Sequence, residues 1–218
     1  MKMLKNPLKV ASYAGMAKIS GLMKISFLVG SQMVWFSASN AVLPLAGAFG
    51  GIIGSGLVFF IRQLLHCMFF KTISLSFFAF CIPGLCASLY WATQHYIIRL
   101  LLPVACMMLF VIHPVGGQAF VYSFYWFIPV ALFFIPQRSL FLQALGSTFI
   151  AHAVGSVIWL YTVPMAATTW MGLMPLVLFE RIAFALGMVI THHFLSFIFE
   201  QIDVMSVAHK KSTVQAIR

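Results

Sequence analysis

Acidic residues are almost missing from this chain: Glu180, Glu200 and Asp203 are the only three in 218 residues. Charged residues of both signs make up 7% of the sequence, too few to cover a soluble domain. So few carboxylates leave nothing with which to build a magnesium site, and no cofactor is expected. Neither a GxxxxGK[ST] phosphate loop nor an HExxH pair occurs, which removes built-in nucleotide hydrolysis and zinc-protease chemistry. Cys67, Cys81, Cys86 and Cys106 contain no CxxC spacing, and three of them lie in apolar runs; they read as small core residues, with no disulfide or zinc signal.

What is present is apolar surface. Hydrophobic residues reach 62% and the mean hydropathy is +1.03, the composition of a multi-pass membrane protein of the cell (inner) membrane. The sequence predicts an all-α transmembrane helix bundle with a basic arm or surface helix at 1–24, a membrane domain at 25–200 and a polar, basic, mobile tail at 201–218. Seven apolar segments can be drawn: 25–38, 41–61, 72–92, 97–113, 118–136, 140–162 and 170–199. Residues 25–36, followed by Ser39, Asn40 and Ala41, also resemble a leader with a cleavage site, but the apolar chain resumes at once.

Lys and Arg exceed the acids by ten, and most of them flank the segments instead of alternating with aromatics, so anionic lipid and not nucleic acid is the expected counter-charge. Seven crossings with the N-terminus in the cytoplasm would divide these charges almost evenly between the two sides. If 97–113 and 118–136 together cross only once, around His113-Pro114-Val115-Gly116-Gly117, eleven fall inside and one outside. Six spans are therefore favoured, with seven possible and the N-terminus cytoplasmic.

Three groups of residues stand out from this apolar background. Glu180 and Arg181 lie well inside the apolar run 170–199, where an ionised side chain costs at least roughly 2.5 kcal/mol and must face protein, water or a partner. On a helix these neighbours point about 100° apart, so they need not pair with each other. Thr148, His152, Ser156 and Trp159 form one stripe at spacings of 4, 4 and 3. Ala46, Gly50 and Gly54, with Gly47, Gly51 and Ser55 beside them, form a small-residue face for packing against another helix or a partner. Asn40, Gln94, His95, Trp159, Tyr161 and Trp170 are expected together at the outer side, as a polar and aromatic mouth above Glu180. His193 and Glu200 stand two turns apart, about 10 Å, which is too far to share one metal ion.

In size, six-helix layout and small-residue helix faces such as Ala46-x-x-x-Gly50, the chain resembles the substrate-binding S component of an energy-coupling factor vitamin transporter. That resemblance implies capture of a small molecule at the outer side and docking onto a separate transmembrane coupling subunit bound to ATPases. Members that carry cobalt or nickel begin Met-His, whereas this chain begins Met1-Lys2, so a metal-ion substrate is not expected. Three readings of function follow. The first is an uptake subunit in which Glu180, Arg181, His152, Trp159 and Asn40 contact a ring-containing organic ligand. The second is a membrane-embedded enzyme acting on a lipid or isoprenoid, with His152 or His192 and Glu180 as acid and base. The third is a scaffold whose working surface is the small-residue face.

Overall fold

In the computed structural model, which describes residues 3–4, 6–22, 24–25, 36–70, 75–136 and 138–216, the chain is helical apart from one two-residue ladder. In order, α1 spans Pro7–Leu22; β1 (Lys24–Ile25) pairs antiparallel with β2 (Phe36–Ser37); α2 is Ser39–Val42, α3 Leu45–Phe70 and α4 Leu75–Ala92. A π-helical turn, Ile97–Leu101, runs into α5, Leu102–Ile112. After α6 (Pro114–Gln118), a 3-10 turn (Phe120–Trp126) leads into α7, Phe127–Phe133, and then come α8 (Leu140–Thr162), α9 (Ala167–Gly172) and α10 (Met174–Ala216). Three stretches are long and apolar enough to cross a membrane: Leu45–Leu64, Leu140–Thr162 and Met174–Val207. A row of exposed apolar side chains on α10, Leu178, Ile182, Leu186, Ile190, Phe194 and Phe197, gives it the outward face of a helix in lipid.

The first of these stretches is not straight. Gly51 has φ 65° and ψ −158°, a conformation reserved for glycine, and it bends α3 sharply. A Cβ added at Gly54 would come within 2.9 Å of the Ala46 carbonyl oxygen, whereas eight residues of straight helix separate the two by about 12 Å. The expected stripe Ala46, Gly50 and Gly54 is therefore broken at the bend, and its members are used inside the chain. Ala46 is fully buried, Gly50 sits against Met3, and Gly47 lies so close to the Ser88 carbonyl of α4 that no side chain fits between them.

Beyond the bend, six legs run back and forth among the described residues. Ser55 and Ser88 hydroxyls meet at 2.8 Å and pair the long limb of α3 with α4. The Gln143 side-chain amide donates to the Tyr90 carbonyl and Ser147 donates to that of Ala87, which sets α8 antiparallel to α4. Arg99 reaches Gln143 at the start of α8, and Tyr161, at its end, donates to the Leu109 carbonyl. The stretch 97–112 thus runs the whole length of α8. The stretch 120–133 returns: His113 lies on Tyr161, Tyr122 on His152 and Tyr125 on Phe149. Segments 97–113 and 118–136 accordingly hold two legs, each about 24 Å long and running in opposite senses.

Segment 25–38 falls mostly outside the described residues, but its flanks lie side by side, with Lys24 opposite Ser37 and Ile25 opposite Phe36. The tail differs too: α10 continues as one helix through Ala216.

Two arginines close one end of the bundle. Arg99 is fully buried; it donates to the carbonyls of Thr93 and Tyr90 at 2.9 and 2.6 Å and to Gln143 at 3.2 Å, with its guanidinium 4.0 Å from the Tyr90 ring centroid. Arg138 donates to the carbonyls of Leu132 and Phe133 and to Gln94. Each satisfies carbonyls that a helix C-terminus leaves without partners. Gln94 and His95 therefore lie at this arginine end, whereas Trp159, Tyr161 and Trp170 lie at the other, so the mouth expected from all of them together does not form.

Candidate functional site

Depth in the bundle decides what an ionisable side chain can do, and α8 supplies the scale. Thr148 donates to the backbone carbonyl of Arg181 at 3.5 Å, so Glu180 and Arg181 sit about 12 Å along α8 from its start at Leu140. Both are buried, at 4% and 7% exposure. The guanidinium of Arg181 donates to Glu180 Oε2 at 3.3 Å and lies 5.1 Å from the Phe184 ring centroid. Neighbours on one helix thus pair after all. The other carboxylate oxygen, Oε1, is buried and has no hydrogen-bond partner among the described residues.

Beside it lies a cleft of about 420 Å³. Its walls are Glu180, Phe184, Gly187 and Thr191 on one face of α10, Ala41 and Val42 of α2, and Met16, Ile19 and Ser20 of α1. The helical period puts the α10 residues on one face, and Gly187 lets α2 come close, since a Cβ there would lie 3.3 Å from that of Ala41. The lining is apolar apart from the carboxylate and two hydroxyl groups. Such a volume holds a small organic molecule, and the chemistry selects one with an apolar body and a hydrogen-bond donor for Oε1.

Toward the other end the interior is filled with rings. Tyr122 stacks on Phe110 at 5.5 Å and meets Trp170 edge-on at 5.0 Å; His152 lies 5.5 Å from Tyr122 and 6.3 Å from Trp126. The Tyr122 hydroxyl is hydrogen-bonded to Ser156 and is within electrostatic reach of both Glu180 and Arg181. This plug stands between the charge pair and the Tyr161 end. Sequence reasoning missed Tyr122, Trp126 and Phe110 because an aromatic in an apolar segment looks like any other core residue.

No protein-family model, curated protein or solved structure matches this chain. Its chemistry must be read from its own residues.

The expected site residues separate into three places. Glu180 and Arg181 are at the cleft, and His152 is in the aromatic plug behind them. Trp159 is not with them: its indole N–H donates to Met165 Sδ at 2.8 Å, about 15 Å along the bundle from Glu180. Asn40 is exposed on α2, one residue from the Ala41 that lines the cleft. His192 lies between Phe49 and Trp91, at centroid distances of 4.9 and 5.8 Å, and is twelve residues, about 18 Å, beyond Glu180. That spacing leaves Glu180 and His192 no means of acting as an acid–base pair. Among the described residues no three His, Cys, Asp or Glu side chains are grouped to hold a metal ion.

Proposed function

We propose that the protein is a small-molecule binding subunit for membrane uptake, and that its site is the Glu180 cleft. All six legs cross the cell membrane in this reading. Among the described residues Lys9, Arg99, Arg138, Lys210 and Lys211 then gather at the arginine end or in the segments running from it, with Arg62 and Arg181 within the legs. That bias makes the arginine end cytoplasmic.

The observation that carries the reading is the unpartnered Oε1 of a buried carboxylate at the edge of a ligand-sized apolar cleft. A buried acceptor without a partner costs about 1–3 kcal/mol, which a donor on a bound ligand would offset. The ligand is a ring-containing solute or amphiphile with an ammonium, amide or hydroxyl donor, its apolar body against Phe184 and Ala41. The aromatic plug supports the transport half of the reading. The rings fill the interior between the charge pair and the Tyr161 end, while the cleft lies toward the arginine end. This is the arrangement of a carrier facing the cytoplasm. With no phosphate loop of its own, uphill uptake would draw on partner proteins, a transmembrane coupling subunit and ATPases in the manner of the vitamin transporters it resembles.

The test is binding of a panel of labelled vitamins, nucleobases and aromatic amines to the purified protein in lipid nanodiscs. Capture by the parent, weakened about tenfold or more by Glu180→Gln, is the expected result, because a hydrogen bond to a charged group contributes about 1.5–3 kcal/mol. Negligible binding across the panel removes the proposal.

A further inference from the structure

One wall of the cleft comes from a helix that is not one of the six legs. The helix α1 contributes Met16, Ile19 and Ser20 to the lining, so its C-terminal half stands over the opening beside Glu180. Its first half carries polar contacts to α10 and to the turn after α2, and its C-terminal end leads into the β1–β2 ladder. Lys9 is 3% exposed and pairs with Asp203 Oδ2 at 2.6 Å, with its ammonium 5.6 Å from the Phe199 ring centroid. Asn6 Nδ2 donates to Ser206 at 3.5 Å, and the Tyr13 hydroxyl lies 2.9 and 3.0 Å from the carbonyls of Val42 and Leu43. One face of α1 is buried along its length, with Lys9, Tyr13 and Ser20 turned inward, while Leu8 and Ile19 are 51% and 64% exposed.

We infer that α1 is a hinged lid on the Glu180 cleft, latched by the Lys9–Asp203 ion pair, so that release of the latch admits or frees the ligand. This rests on the cleft being the binding site. The charge arrangement suits a latch. Asp203 is 59% exposed, so its carboxylate can exchange Lys9 for water at small cost, while Lys9 loses the anion that offsets its burial. Parting the pair thus favours movement of α1 and leaves the six legs in place. Met16, Ile19 and Ser20 are lining residues of the cleft, so the opening widens when α1 moves away.

The experiment reads access to the cleft without any ligand. In a background with Cys67, Cys81, Cys86 and Cys106 replaced by serine, Ala183→Cys places one thiol in the cleft wall, and its labelling by a charged maleimide is timed in nanodiscs. Asp203→Asn and Lys9→Gln should each speed labelling about fivefold, the scale of a partly exposed ion pair. The exchanged pair, Lys9→Asp with Asp203→Lys, should return the rate toward that of the parent. Asp203 is exposed, so Asp203→Asn keeps the test open if Lys9→Gln folds poorly, and size-exclusion profiles confirm which variants are intact. Labelling at the parental rate in Asp203→Asn overturns the lid. Faster labelling in a protein that binds nothing in the solute panel would keep the lid and remove the binding site instead.

Discussion

Replacing Arg181 with Met while leaving Glu180 in place strands a carboxylate at 4% exposure with neither oxygen partnered by a cation. At 3.3 Å, and with an effective dielectric constant of about 20, the attraction lost is about 5 kcal/mol. Part of it returns when Glu180 takes a proton or draws water through the cleft, so a net loss of about 3–5 kcal/mol is expected. Glu180→Gln alone should cost a similar amount, because Arg181 then holds an uncompensated charge. The double variant, Glu180→Gln with Arg181→Met, buries no charge and should recover at least about 2 kcal/mol of the larger single loss. Denaturant unfolding in detergent, followed by tryptophan fluorescence, measures all four corners of this cycle. Binding on the same four proteins separates structure from function. The double variant should be stable yet unable to hold a ligand that needs the Oε1 acceptor. Single losses below about 1 kcal/mol would show that water screens the pair, and a stable double variant that binds normally would show that Glu180 serves the fold alone.

Other consequences can be checked directly. Arg99→Ala should cost about 3–5 kcal/mol in the same unfolding assay, since it removes charge-assisted bonds to two carbonyls and Gln143 in a fully buried place. Arg138→Ala, partly buried, should cost less than half as much. Gly51→Ala should lose about 1–3 kcal/mol from its positive φ alone, while Gly56→Ala, in open space on the same helix, should be neutral or stabilising. In a cysteine-free background, His95→Cys and Tyr161→Cys should react with an impermeant thiol reagent from opposite faces of the membrane; labelling from the same face would contradict the six-leg path.

Composition made the helical, lipid-facing character of the chain legible, because 62% apolar residues admit few other solutions. The path of the chain was less accessible. Residues 97–112 and 120–133 look too short for separate crossings, and only contacts such as Tyr161 with Leu109 and Arg138 with Gln94 show them running the length of α8 in opposite senses. Counting Arg99 and Arg138 as flanking charges missed that both are helix caps at the same end. Gly51 looked like one more member of a small-residue stripe, since a sequence does not reveal the sign of φ. For the site, an intramembrane Glu180 stands out in the sequence by its cost alone. That Arg181 would satisfy one of its oxygens and α1 would wall the space beside the other depended on rotamers and on contacts across nearly the whole chain.

Those long-range contacts also bear on how the protein is made. Lys9 and Asn6 leave the ribosome long before Asp203 and Ser206, their partners, from which 194 and 200 positions separate them. Until then the apolar side of α1, with Tyr13, lacks the α10 part of the surface it rests on, and contacts of such separation form late. Truncation before residue 203 should therefore leave a newborn chain whose N-terminal helix is exposed to proteases and chaperones, even where the remaining helices have already entered the bilayer.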